Sequence, residues 1–249
     1  MNKYLTCAII FLSLVLQSCT TDADDDSDNW DASVVCPETG TNSYGMPNRG
    51  TFTDERDGQV YKYTTIGNQV WMAENLKYDA EYSEIITDDY GLDKYTRLMN
   101  DTCDSRECRI NVLFDLFGRY YSLQMDGKYN APRNQSLIDS ICPMGWHVPS
   151  ESEWNVLVDN MGKKKADAAS RLKSSDNSFG VDFQPGTDPC LFSSLPAGGV
   201  RKSSERLLID SQYWTSTSKS YEYMLSIRIA IGIYIDYTDL KLPIRCLKD

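Results

Sequence analysis

The sequence predicts an α+β domain built from short mixed strands, one or two helices, long loops and disulfides. Three observations carry this. Segments that alternate apolar and polar residues are short and numerous, and they lie after residue 50. Only two stretches carry helical spacing, and the sharper one starts inside the run from Cys142 to Trp154. Setting aside Cys7 in an apolar leader and Cys19 at its end, six of the eight cysteines remain, and an even number in an exported chain points to disulfides.

The leader comes first. Lys3 is followed by an almost wholly apolar stretch from Leu5 to Leu16, right for a signal peptide and too short to span a bilayer comfortably. It ends in Leu16-Gln17-Ser18-Cys19, which resembles a bacterial lipobox. The expectation is a signal peptide over residues 1–18, lipidation at Cys19, and a membrane held through several acyl chains. Asp22, Asp24, Asp25, Asp26 and Asp28 then form a run that repels itself and buries nothing. Residues 19–50 are therefore expected to be an acidic, flexible linker, and residues 51–249 one domain of about 200 residues. The acidic run is similar to those that accompany export to the cell surface, so the expected location is the outer membrane, facing outward. The formal net charge is −11, and no basic patch offsets it, which argues against nucleic acid as a partner.

Within the domain, Gln59 to Tyr63 and Val70 to Ala73 read as two strands around the turn Gly67-Asn68-Gln69. Tyr78 to Arg109 is polar, rich in tyrosine and without clear period, and Asn111 to Leu123 turns apolar, its later part reading as a strand. Pro143-Met144-Gly145 is a turn, and Pro149 pushes Trp146-His147-Val148 toward extended geometry. Ser150 and Glu153 have the spacing of a capping box, and Trp154, Leu157, Val158 and Met161 share one helix face. Ala166 to Lys173 reads as a second helix. Strands are expected at Phe179 to Phe183, Leu191 to Leu195, Tyr213 to Thr217 and Tyr223 to Ala230, and again through Ile231, Ile233 and Ile235. Among the cysteines, Cys103–Cys108 is the natural local pair. Cys142 and Cys246 adjoin strand-like segments and are paired, which leaves Cys36–Cys190; other connectivities remain open to six cysteines.

Together these pieces resemble the Fibrobacter succinogenes major paralogous domain, a family of exported bacterial proteins. The matching residues are Asp57 to Tyr61, Ile66 to Leu76, Gly118-Arg119-Tyr120-Tyr121, Cys142 to Ser150 with Glu153-Trp154, Leu195-Pro196-Ala197-Gly198, Tyr213 to Ser216 and Arg245-Cys246. The resemblance implies a C-type-lectin-like fold, shared with the formylglycine-generating sulfatase-modifying enzymes, more than it implies an activity. Two departures bear on function. Gln184-Pro185-Gly186 puts a glycine where calcium-dependent lectins place a ligand, and Cys103–Cys108 precedes the Trp146 motif, whereas the oxidase's copper-binding cysteine pair lies near the domain's end.

The expected function is a non-catalytic binding or adhesion module of the cell envelope, directed to polysaccharide or to another envelope protein. A structural envelope protein without a small ligand is the alternative, and a formylglycine-generating-type oxidase a more remote one. No catalytic residue, metal ligand or cofactor is expected: His147 is the only histidine, and no C-x-x-C pair exists. The candidate ligand-binding residues are Tyr78, Tyr82, Tyr90, Tyr95 and Tyr221, with Tyr213, Trp214 and Tyr223 as further candidates, because aromatic faces suit sugar rings and protein hot spots alike. Trp71, Trp146, Trp154 and Trp214 read as core.

Overall fold

The structure is a computed structural model that describes residues 29–87, 92, 103–125, 131–176, 178, 184–200, 206–207, 210–218, 224–230, 232–238 and 240–249. It is an α+β fold of antiparallel sheets and short helices, crossed by three disulfides. Asp31 caps a one-turn helix, α1 (Ala32–Val35), by accepting the Ser33 backbone N–H at 2.8 Å. β1 (Arg49–Thr53), β2 (Val60–Ile66) and β3 (Gln69–Met72) follow as an antiparallel meander. β4 (Ser83–Glu84) pairs with β5 (Tyr120–Tyr121), and between them runs α2 (Arg106–Phe117). This helix ends at Gly118, whose φ of 66° is left-handed and whose α-carbon lies so close to the Leu76 carbonyl that a β-carbon would not fit.

α3 (Gln135–Ser140) precedes β6 (Trp146–His147), α4 (Glu151–Asn160) and α5 (Lys165–Leu172). The remaining strands are β7 (Gly199–Val200), β8 (Arg206–Leu207), β9 (Ser211–Ser218), β10 (Met224–Ile229), β11 (Ile233–Tyr237) and β12 (Leu247–Lys248).

The main sheet has the order β1-β2-β3-β12-β6 and separates two cores. Alternation assigns the faces: Tyr61, Tyr63, Val70, Met72, Cys246 and Trp146 point to one side, Ile66, Trp71 and Leu247 to the other. Its two edges belong to β1 and β6, which in a flat sheet would stand about 19 Å apart. Yet Phe52 of β1 stacks on Trp146 of β6 with ring centroids at 4.3 Å, so the sheet curls around the first core. Against its convex face lie α1, α4, α5 and the sheet β9-β10-β11. Trp71, Trp154, Phe192 and Tyr213 form a ring cluster there with centroids 4.6 to 6.4 Å apart. A third core gathers Leu113 and Phe117 of α2 with Tyr120, Ala197 and Val200.

The disulfides join Cys36–Cys190, Cys103–Cys108 and Cys142–Cys246, the pairings set out above. Three other expectations change. The linker expected to residue 50 is folded from Asn29 onward: Trp30 donates to the Asn160 carbonyl at 2.7 Å, Val35 accepts from Gly67 at 2.7 Å, and Asn48 is buried. Apolar Trp30, Ala32 and Val35, followed by a disulfide, bind this stretch to the domain. Leu191 to Leu195 is a looped segment rather than a strand, as its backbone requires below. Tyr213 and Trp214 are buried, which agrees with the core reading of Trp214 and removes both as ligand-binding candidates; Trp214 Nε1 donates to the Tyr121 carbonyl at 2.7 Å. The strand expected at Phe179 to Phe183 lies outside the described residues.

The capping box forms as the sequence spacing requires. The Ser150 hydroxyl accepts from the Glu153 N–H at 3.3 Å, and Glu153 Oε2 accepts the Ser150 N–H at 2.7 Å. Burial pushes the Glu153 carboxyl up, but hydrogen bonds from the Ser150 N–H and hydroxyl and from His147 outweigh it and hold the pKa below the ordinary glutamate value. A carboxylate of lowered pKa contributes stability above the unfolded value and loses it as pH falls through the folded one. Ser150→Ala is expected to cost about 1 kcal/mol in urea unfolding. Glu153→Gln should lower the urea midpoint at neutral pH, with the deficit shrinking as the pH falls below about 4.

Candidate functional site

The site is built on Arg245. This side chain is 1% exposed, and each of its three guanidinium nitrogens donates a hydrogen bond. Nε donates to Asn75 Oδ1 at 2.9 Å, Nη2 to the Ser193 carbonyl at 2.8 Å, and Nη1 to the Phe192 carbonyl. The rings of Phe192 and Tyr213 lie 4.6 and 5.3 Å from its central carbon. Burial draws its pKa below the ordinary value, against the pull of Tyr213, Asp188 and Glu74.

The loop it holds is strained. Asp188, Leu191 and Ser193 have φ of 45°, 54° and 52°, left-handed values that side chains other than glycine adopt at a cost. Surrounding bonds impose this path. Asp188 accepts from the Ser193 N–H at 2.8 Å and its hydroxyl at 2.7 Å. Burial raises the Asp188 pKa even so, with those bonds and Arg245 opposing. Thr64 Oγ1 donates to the Cys190 carbonyl at 2.6 Å, Arg49 Nη2 to the Pro189 carbonyl at 3.0 Å, and Cys190 is bonded to Cys36.

Beside this loop opens a cleft of about 370 Å³. One wall is Arg49 and Lys62 from β1 and β2; the opposite wall is Asp115 and Leu116 from α2; the loop supplies Leu191, Ser193 and Leu195, and Glu74 lies at the floor with Arg245. Leu191 is 47% exposed. An exposed leucine in a left-handed conformation contributes little to folding, and strain held in place by its surroundings is characteristic of ligand clamps.

The tyrosines named from sequence lie elsewhere. Tyr78 is half-buried, its ring beneath the Arg56 guanidinium at 3.8 Å. A second cleft, of about 340 Å³, is lined by Phe52, Asp54, Arg56, Pro143 and a 95% exposed Met144, and Tyr78 is not part of its lining. Tyr82 is half-buried with φ 61°, and its carbonyl accepts from Ser122 at 3.3 Å. Neither Tyr78 nor Tyr82 lines the cleft at Leu191. Tyr90, Tyr95, Tyr221, Tyr223 and Cys19 lie outside the described residues.

His147 is half-exposed, with Nδ1 2.7 Å from Asp249 Oδ1 and Nε2 2.9 Å from Glu153 Oε1. Both ring nitrogens face carboxylates, so the ring ties the chain end to α4 and engages no hydroxyl nucleophile. Among the described residues, no group of three or more histidine, cysteine or acidic side chains is placed to hold a metal ion.

Sequence reasoning singled out Arg245-Cys246 as a motif but gave Arg245 no role, and it read Leu191 and Ser193 as strand. Leu191→Gly tests the strain directly. Glycine adopts this φ freely and little buried surface is lost, so the variant is expected to be more stable by about 1 kcal/mol in urea unfolding, whereas Arg245→Met should cost about 3 kcal/mol or more by leaving Asn75 and two carbonyls unpaired.

Comparison with known proteins supplies one match. Residues 64–248 match the model of the Fibrobacter succinogenes major domain, and the chain belongs to that family. No curated protein and no solved structure matches the chain.

Proposed function

We propose that this member of the Fibrobacter succinogenes major domain family is a non-catalytic binding module held at the cell envelope, and that its ligand sits in the cleft at Leu191. The observation that carries the reading is the exposed, left-handed Leu191, fixed beside a cavity by Arg245, Asp188 and the Cys36–Cys190 bridge. Such a side chain returns its cost on contact with a partner. Adhesion to an envelope polysaccharide or an envelope protein is the function it serves, and the curled antiparallel sheet with its disulfides supports the C-type-lectin-like relationship implied by the sequence motifs. The disulfide between Cys103 and Cys108 supports a structural role for that pair rather than copper chemistry.

The envelope location rests on the leader, Cys19 and the acidic run behind it, and the three disulfides support an oxidising compartment. No helix among the described residues is long and apolar enough to cross a membrane. The proposed attachment is an acyl anchor at Cys19, in the outer membrane and facing outward.

Two measurements test this reading. Labelled palmitate should be incorporated by the chain in cells and lost in Cys19→Ala, with the variant moving to the soluble fraction; incorporation that survives the change removes the anchor. Immobilised envelope polysaccharides and envelope proteins should retain the purified full chain saturably, and Leu191→Asp should weaken retention about tenfold or more. Full retention by Leu191→Asp would place the binding surface elsewhere.

A further inference from the structure

We infer that the ligand of the cleft is a peptide segment presenting an aliphatic side chain, rather than a sugar; this rests on the binding reading above and names its ligand class. The apolar lining is aliphatic and comes from two separate elements. Leu116 projects from α2, and Leu191 and Leu195 from the strained loop, with Ala73 beneath. The one aromatic residue of the lining, Tyr63, is buried, its ring lying across Gly50 so closely that a β-carbon there would stand 2.7 Å from its hydroxyl. A sugar face seeks an open aromatic plane, and this lining presents none.

The charges lining the cleft are of both signs. Arg49 and Lys62 stand on the β1–β2 wall, while Glu74 and Asp115 stand at the floor and on the α2 wall. Arg49 is already paired with Glu38 at 3.2 Å, and Asp115 lies 3.8 Å from Lys77. A polyanionic chain such as a polyuronate is recognised by cations of one sign, and the carboxylates here repel it. A peptide backbone offers the complementary pattern: a carbonyl toward the Lys62 ammonium, N–H groups toward Asp115 and the Glu74 carboxylate, whose Oε2 also accepts the Lys62 N–H at 2.6 Å, and one side chain between the leucines. A cleft of about 370 Å³ accommodates one such side chain with its flanking peptide groups.

The test uses the full chain in lipid nanodiscs and fluorescence anisotropy. The probes are two labelled pentapeptides, four glycines with leucine at the centre and five glycines, together with labelled cellohexaose and a labelled hexauronate. The leucine peptide is expected to bind saturably and the all-glycine peptide about tenfold or more weakly. Leu191→Gly, which relieves the backbone strain and so does not weaken the fold, should lower the leucine peptide's affinity about tenfold, and Lys62→Glu about threefold. Equal binding of the two peptides, or no saturation by the leucine peptide up to about 1 mM, overturns the peptide assignment. If a glycan then binds and Leu191→Gly abolishes it, the binding reading survives and only the ligand class falls. If no probe binds, both fall.

Discussion

The guanidinium of Arg245 is the contact on which the candidate site depends. Taking a cation out of water costs several kcal/mol, and here three hydrogen bonds, two aromatic rings and the nearby carboxylates of Asp188 and Glu74 offset it. The geometry demands an arginine. Asn75, which follows β3, and the Phe192 and Ser193 carbonyls on the loop are reached from different edges of one plane, and a lysine ammonium has no such plane to present. The charge therefore decides the path of a loop that its own residues would not choose. Locally the path is held by Asp188, which accepts from Ser193 and from the Leu191 N–H, and Arg245 secures it from the other side.

The curl of the main sheet sets where that loop can stand. Because β1 and β6 meet through Phe52 and Trp146, Tyr61, Tyr63, Val70 and Met72 line the concave side, where Tyr121, Ile138, Ile141 and Trp214 pack on them, while α1, α4 and α5 lie against the convex side. Asn75 joins α2 to the loop at Leu191. Its amide nitrogen donates to the Phe117 carbonyl at the end of α2, at 2.9 Å, and its oxygen accepts from Arg245. One wall of the cleft, α2, and, through Arg245, the loop beside it are thus positioned from a single buried amide.

Sequence pattern revealed the parts that are governed locally. The Ser150 capping box, the hairpin over Val60 to Met72 and the strand through Tyr213 and Trp214 each follow from residues within a few positions of one another. α2 was passed over although Ile110, Leu113, Phe114 and Phe117 recur at i, i+3, i+4 and i+7, because Val112 and Leu116 widen the stripe and the segment runs on into the aromatic strand at Tyr120-Tyr121. β1 is short and polar, and its strand character comes from pairing with β2. The site was the least legible element. Leu191-Phe192-Ser193-Ser194-Leu195 alternates as a strand would, but its conformation is fixed by Arg245 more than fifty positions away and by Cys36 more than a hundred and fifty away. Tertiary constraint overrides local preference there, and no local motif records it. The tyrosines chosen for their aromatic faces were legible as residue types only; Arg56 covers Tyr78, which composition does not foretell.

The Cys36–Cys190 bond gives the proposed anchoring a mechanical consequence. The proposed tether from Cys19 would lead to Asn29, after which Trp30, α1 and Cys36 attach in turn to the domain. From there the covalent path runs directly to Cys190, between the left-handed Asp188 and Leu191. Arg49 spans the same junction, donating to the carbonyls of both Cys36 and Pro189 at 3.2 and 3.0 Å. Load between an anchored N-terminus and a ligand at Leu191 would therefore pass through the disulfide and the Arg49 bonds without having to cross the β-sheet pairing of the main core.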